Sequence, residues 1–133
     1  MTDFLVLDSP IDSSCTGRGE ERAPRALRAA GLVERLGARD AGEAHARISD
    51  SKRDPATGAV GASQVRRVAM TISERVRGLL ATDRRPLLVG GDCTLLLGVF
   101  EALSSDTACV SSTGTRISST GRARQRAKRP IWT

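Results

Sequence analysis

Apolar residues fall along this chain in separate clusters, each with its own period. Phe4-Leu5-Val6-Leu7 is a short continuous run, which predicts a buried strand. Polar, Gly-containing residues 8–22 follow as a loop. Pro24 suits the first turn of a helix, and the stretch from Ala23 to Ala30 is made of good helix formers. Gly31 is a natural stop, with Leu32, Val33 and Leu36 offering a further apolar turn. Residues 37–62 are rich in Gly, Ala, Asp and Ser, with a turn at Asp54-Pro55, and predict a loop.

The strongest periodicity lies over residues 64–82. Val65, Val68, Ala69, Ile72, Val76, Leu79 and Leu80 follow helical spacing, so one stripe faces a core, while Arg66, Arg67, Arg75 and Arg77 lie off it. Beyond Pro86, Leu87-Leu88-Val89 predicts a short buried strand that runs into Gly90-Gly91-Asp92-Cys93-Thr94. Leu95, Leu96, Val99, Phe100 and Leu103 then predict another helix. Strand, glycine turn and helix in that order form the βα unit of a parallel sheet, so the fold class is α/β.

Composition changes this picture only at the C-terminal end. The formal charge is +6, yet all 15 acidic residues lie within 1–106, balanced there by 15 of the 21 basic ones. The excess belongs to Arg116, Arg122, Arg124, Arg126, Lys128 and Arg129. Residues 107–133 are rich in Ser and Thr and lack any period, which predicts a disordered basic tail. Aromatic residues are only 2% of the chain, which argues against base-stacking platforms for nucleic acid. No apolar run reaches the ~18 residues of a membrane span, and the N-terminus lacks a signal-peptide pattern. Cys15, Cys93 and Cys109 are odd in number, with no CxxC pair, so a reduced cytoplasmic setting is expected.

The candidate chemistry sits at Gly90-Gly91-Asp92-Cys93-Thr94, at the carboxyl end of a strand, where open α/β sheets place their ligands. Paired glycines allow a tight turn and close backbone approach. Asp92 has three uses open to it: metal ligand, ligand-orienting group, or cap for the helix alongside Thr94. Cys93 at the helix start is a candidate nucleophile, but no matched histidine stands by as its base. His45, the single histidine, lies in a loop-like stretch and reads as an ordinary surface residue.

In context, Leu87-Leu88-Val89-Gly90-Gly91-Asp92-Cys93-Thr94-Leu95-Leu96-Leu97-Gly98 resembles the strand–GGDHS–helix segment of the arginase/agmatinase/formimidoylglutamase (ureohydrolase) family. Upstream, Ala23-Pro24-Arg25-Ala26-Leu27-Arg28-Ala29-Ala30-Gly31-Leu32 is similar to that family's GPxxLRxAGL stretch, and Asp40-Ala41-Gly42-Glu43 to its DxGD turn. The matches keep family order over about residues 1–105. The resemblance implies an incomplete three-layer, doubly wound parallel sheet over residues 1–106. It further implies two Mn²⁺ ions that activate a bridging hydroxide against a guanidino or amidino carbon. A small guanidino or amidino substrate and a homo-oligomeric intact protein follow from the same resemblance.

This sequence departs from the family pattern. Cys93 stands where the family has its first metal-binding histidine, and a soft thiolate suits Zn²⁺ better than Mn²⁺. Gly90, Gly91 and Asp92 keep the family's turn, but the later DxHxD and SxDxD ligand motifs are absent. Residues 110–119 can be coded so that the adjacent reading frame gives F-V-D-G-H-E-D-F, a family-like metal motif in the right place. Continuing from Arg122 to Thr133, that frame permits P-S-P-T-A-G-E-A-A-D-M-D. The expectation is a truncated arginase-family protein, inactive by itself, whose tail is out of frame. The competing expectation is a small module whose basic tail binds nucleic acid or an acidic partner, since such a tail attracts phosphate in a salt-sensitive way.

Overall fold

Parallel strand pairing organises the first part of the molecule. The computed structural model describes residues 3–50, 52–103, 108–110 and 116–118. Strand β1 (Phe4–Ser9) lies between β2 (Arg39–Glu43) and β3 (Arg85–Gly90) and runs parallel to both. Helices α1 (Ala23–Ala29) and α2 (Leu32–Leu36) connect β1 to β2, and α3 (Ala62–Leu80) connects β2 to β3. Helix α4 (Leu95–Ala102) follows β3. The chain leaves β1 toward one edge and then crosses to the other, so right-handed crossovers place α1–α2 and α3 on opposite faces. This is the doubly wound α/β arrangement that the sequence implies, built on three strands.

The chain divides into two compact units, Met1–Ala102 and Leu103–Thr133. In the second, β4 (Ala108–Val110) pairs antiparallel with β5 (Arg116–Ser118). The rest of the sequence read as a disordered tail lies outside the described residues.

Strand alternation explains the core. Val6 and Leu7 point to opposite faces of β1, and both are fully buried. The expected stripe on α3 is present: Val68, Ile72 and Val76 are buried, and the arginines beside it are exposed. The stripe frays at its end, where Leu80 is exposed. Ser73 is buried among these residues although its polarity places it outside the pattern, and its Oγ has no hydrogen-bond partner.

One element departs from expectation. Residues 39–43, read as part of a loop and a DxGD-like turn, form β2. The segment Arg-Asp-Ala-Gly-Glu has no β-branched or apolar run to announce a strand. It is an edge strand held to β1 through backbone pairing, with a register irregularity between Val6 and Asp8. Among the described residues, no helix is long and apolar enough to cross a membrane.

Helices α3 and α4 cross closely because Gly98 has no side chain. A Cβ on Gly98 would lie 2.5 Å from the Ala69 carbonyl oxygen and 2.7 Å from Ile72 Cβ. Gly98→Ala therefore forces the helices apart and costs about 1–3 kcal/mol. Gly78 on α3 faces open space, so Gly78→Ala adds about 0.5–1 kcal/mol of stability through helix propensity. Urea unfolding midpoints should move in opposite directions for the two variants; a shared direction would show that the α3–α4 contact does not limit stability.

Candidate functional site

All three strands are parallel, so their carboxyl ends share one end of the sheet. The strand order reverses at β1, and the crevice beyond β1 and β3 is the topological switch point where such sheets bind ligands. There the two strands continue to pair after their regular ladder ends. Gly91 N–H donates to the Ser9 carbonyl at 3.2 Å, and Asp92 N–H donates to the Ile11 carbonyl at 3.1 Å. Gly91 passes so near Ile11 that a Cβ there would run into the Ile11 carbonyl group. Only glycine permits that approach, because the obstacle is backbone and cannot swing away. A Cβ on Gly90 would instead meet the Leu95 side chain folded over it.

Asp92 closes the corner. Its Oδ1 accepts the Thr94 N–H at 2.8 Å, and its Oδ2 accepts the Ser13 N–H at 2.6 Å, across 79 residues of sequence. The carboxylate therefore holds the turn before α4 and also ties down the loop after β1. Partial burial works to raise its pKa, but the hydrogen bonds from Ser13 and Thr94 outweigh that and hold it below the ordinary carboxylate value. Cys93 is exposed on the same turn as a free thiol. His45 is on the surface, with its side chain 85% exposed and Nδ1 3.5 Å from a Glu43 carboxylate oxygen.

Two features of this end carry no signal in the local sequence. A shallow cavity of about 450 Å³ opens between the loops after β1 and β2, lined by Asp12, Cys15, Glu21 and Arg47 among others. Its charged groups are already engaged. Asp12 accepts from Ser14 Oγ and the Gly17 N–H, which lowers its pKa, and Arg47 pairs with Glu43 at 2.7 Å. The second feature is an ion-pair relay. Arg28 on α1 donates through Nε to Asp8 Oδ2 at 2.5 Å and through Nη2 to Asp40 Oδ1 at 2.8 Å. Hydrogen bonding to Asp8 and then Asp40 raises the Arg28 pKa, while the Gly42 N–H and then Arg28 lower that of Asp40. The LRxAGL-like and DxGD-like stretches contain Arg28 and Asp40, but nothing in them says that the two touch.

A family model described as the arginase family matches residues 2–114. The chain belongs to the arginase family. Among solved structures, arginase from Bacillus subtilis is similar in fold, with a TM-score of 0.55 at 22% sequence identity. That match covers 77% of this chain and 33% of the Bacillus chain, so the protein spans about a third of the solved relative. No curated protein matches.

The family is generally one of binuclear manganese enzymes, so the residues of this arginase-family chain must be tested against that centre. They do not fit it. Both Asp92 oxygens accept backbone N–H groups, and the next residue, Cys93, carries a free thiol. Among the described residues, no group of three or more His, Cys, Asp or Glu side chains could hold a metal ion. Mn²⁺ favours carboxylate and imidazole ligands over thiolate, and such a set is not assembled among the described residues.

Asp92→Ala leaves the Ser13 and Thr94 N–H groups without their acceptor, and is expected to cost about 1–3 kcal/mol near neutral pH. The sign with pH follows from the lowered pKa: the stabilisation is present above about 4, the free aspartate value, and is lost as pH falls through the lower folded value. Chemical denaturation of both proteins from pH 7 to pH 2 checks this. A stability gap that stayed constant to pH 2 would rule out the carboxylate as its source.

Proposed function

We propose that this chain is the N-terminal portion of an arginase-family hydrolase and is catalytically silent by itself. The parent domain would hydrolyse a C–N bond of a small guanidino or amidino compound, releasing urea or an analogue, with two Mn²⁺ ions supplying the activated water. The intact protein would be a cytoplasmic homo-oligomer. One observation carries the reading. The glycine–aspartate corner stands at the switch point of the sheet, as a ligand site of this fold requires, while no described cluster completes a metal centre beside it.

The fate of the missing ligands is part of the same proposal. The adjacent frame over residues 110–119 permits F-V-D-G-H-E-D-F, which would place carboxylates and an imidazole after the helix that follows the corner. A frame change near residues 105–110 accounts for a tail with six bases, no acid and no hydrophobic period. Shifted GC-rich coding yields Arg, Ala, Gly, Ser and Thr. In this reading Gly90, Gly91 and Asp92 support the turn, and Cys93 occupies the position of the first metal ligand.

Sequencing the locus tests the reading directly. The expected result is an open frame past codon 110 that encodes DxHxD and then SxDxD. The present chain, supplied with Mn²⁺ and guanidino compounds, should release no urea, and the frame-restored protein should release it. A downstream region with neither motif in any phase would end the hydrolase assignment.

A further inference from the structure

Residues 19–38, which carry the chain from β1 toward β2, form a strap between two glycine bends. Gly19 has a φ of 118° at one end, and Gly37 a φ of 56° at the other. Side chains resist both values, so the chain bends there on residues whose backbone turns freely. Between the bends the main chain bonds to itself. Arg22 N–H donates to the Gly19 carbonyl, Ala30 to Ala26, Gly31 to Arg28, Arg35 to Gly31 and Ala38 to Val33, all at 2.9–3.0 Å. None of these five bonds reaches a strand. Ladder pairing resumes at Arg39, opposite Leu5.

The strap meets the sheet mainly through charge. Pro24 is buried, Leu32, Val33 and Leu36 are half-buried, and Leu27 is exposed. Arg28 reaches two strands at once, with Nε on Asp8 Oδ2 of β1 at 2.5 Å and Nη2 on Asp40 Oδ1 of β2 at 2.8 Å. A planar guanidinium can fork in this way, and an ammonium cannot. Closure carries a penalty of its own. It holds the Asp8 carboxylate away from water with Oδ1 lacking a partner, and that penalty is relieved when the strap lifts and water reaches the oxygen. The opposite face has no such relief, since Val68, Ile72 and Val76 are buried there and Gly98 fits α4 against α3.

Both neighbours of the strap are anchored independently of it. Upstream, the Ser13 N–H is bonded to the Asp92 carboxylate. Downstream, β2 is held from α3, where Arg75 Nη2 donates to the Ala41 carbonyl at 2.7 Å. Segments with little buried apolar surface and self-contained hydrogen bonds open ahead of global unfolding. We propose that residues 19–38 open as one unit, hinged at Gly19 and Gly37 and latched by Arg28, while the three strands, α3 and α4 stay folded. Opening bares the α1 side of β1, where Val6 and Asp8 are buried in the closed form. The device belongs to the fold and does not rest on the hydrolase reading.

Native-state hydrogen exchange of the full chain, followed through low concentrations of urea, tests the proposal. The Ala30, Gly31, Arg35 and Ala38 amides are expected to share one opening free energy and one urea slope, both below those of Ile72 and Val76. Arg28→Lys should speed exchange of that set about tenfold and leave Ile72 and Val76 unchanged, because one of the two charged bonds is lost. Asp40→Asn keeps an oxygen for the Gly42 N–H but removes the charge facing Arg28, and should speed the same set about threefold. If Arg28→Lys fails to fold, the unsubstituted chain and Asp40→Asn decide. Exchange of the strap amides at the α3 rate overturns the proposal, and so does a separate urea slope for each amide, which is the mark of fraying. Substitutions that speed both sets equally, or neither, overturn it as well.

Discussion

The passage of Gly91 against the Ile11 carbonyl is the contact on which this end of the molecule depends. Beyond the regular ladder, β1 and β3 would part unless something kept their main chains together. Three hydrogen bonds do so in sequence: Gly91 to Ser9, Asp92 to Ile11, and Ser13 to the Asp92 carboxylate. Each needs the previous one, because a side chain at 91 would separate the strands and carry Asp92 out of reach of Ser13. The first residues of the loop after β1 are thereby fixed, by the strand behind them and by a carboxylate 79 residues away in sequence. Ile11, fully buried although it lies outside any strand, is the apolar counterpart of the same closure.

Away from this corner the two faces of the sheet are unequally covered. On the α3 side, Val68, Ile72 and Val76 are buried and Gly98 brings α4 into close contact. On the other side α1 buries only Pro24, α2 buries none of its residues, and Leu27 is 43% exposed. Arg28 replaces apolar packing there with ion pairs to Asp8 and Asp40. Asp8 is buried, and its Oδ1 lacks a partner. A buried carboxylate tolerates that arrangement only while the guanidinium stays against its other oxygen, so α1 is held by one arginine more than by its own apolar surface.

What the sequence revealed, and what it hid, divides along the same physical line. Elements that bury side chains were legible: Phe4 to Leu7, the α3 stripe, Leu87 to Val89 and the apolar run of α4 all carry the period of their structure. Strand β2 was not, because its attachment to β1 is made by backbone groups that every residue possesses. The corner itself was half legible. Its glycines and Asp92 stand out as a turn, but the partners of Asp92 are main-chain N–H groups, one of them on Ser13, and a main-chain donor leaves no mark in an amino-acid string. The Arg28 relay was hidden for a related reason, since long charged side chains join positions that no local spacing connects.

This bears on what the corner reports about function. Nothing in the geometry of Gly90, Gly91 and Asp92 calls for a bound cation to hold it. Here it is fixed by close backbone packing and by hydrogen bonds internal to the protein. The geometry of the corner is therefore a property of the fold and does not depend on a bound cation. Activity depends on a different requirement, the convergence of several carboxylates and imidazoles on one point, which the corner alone does not meet. Position 93 shows how the two requirements separate. The thiol of Cys93 leaves the turn intact, because the turn is made by the main chain on either side of it, and a soft thiolate favours Zn²⁺ over Mn²⁺.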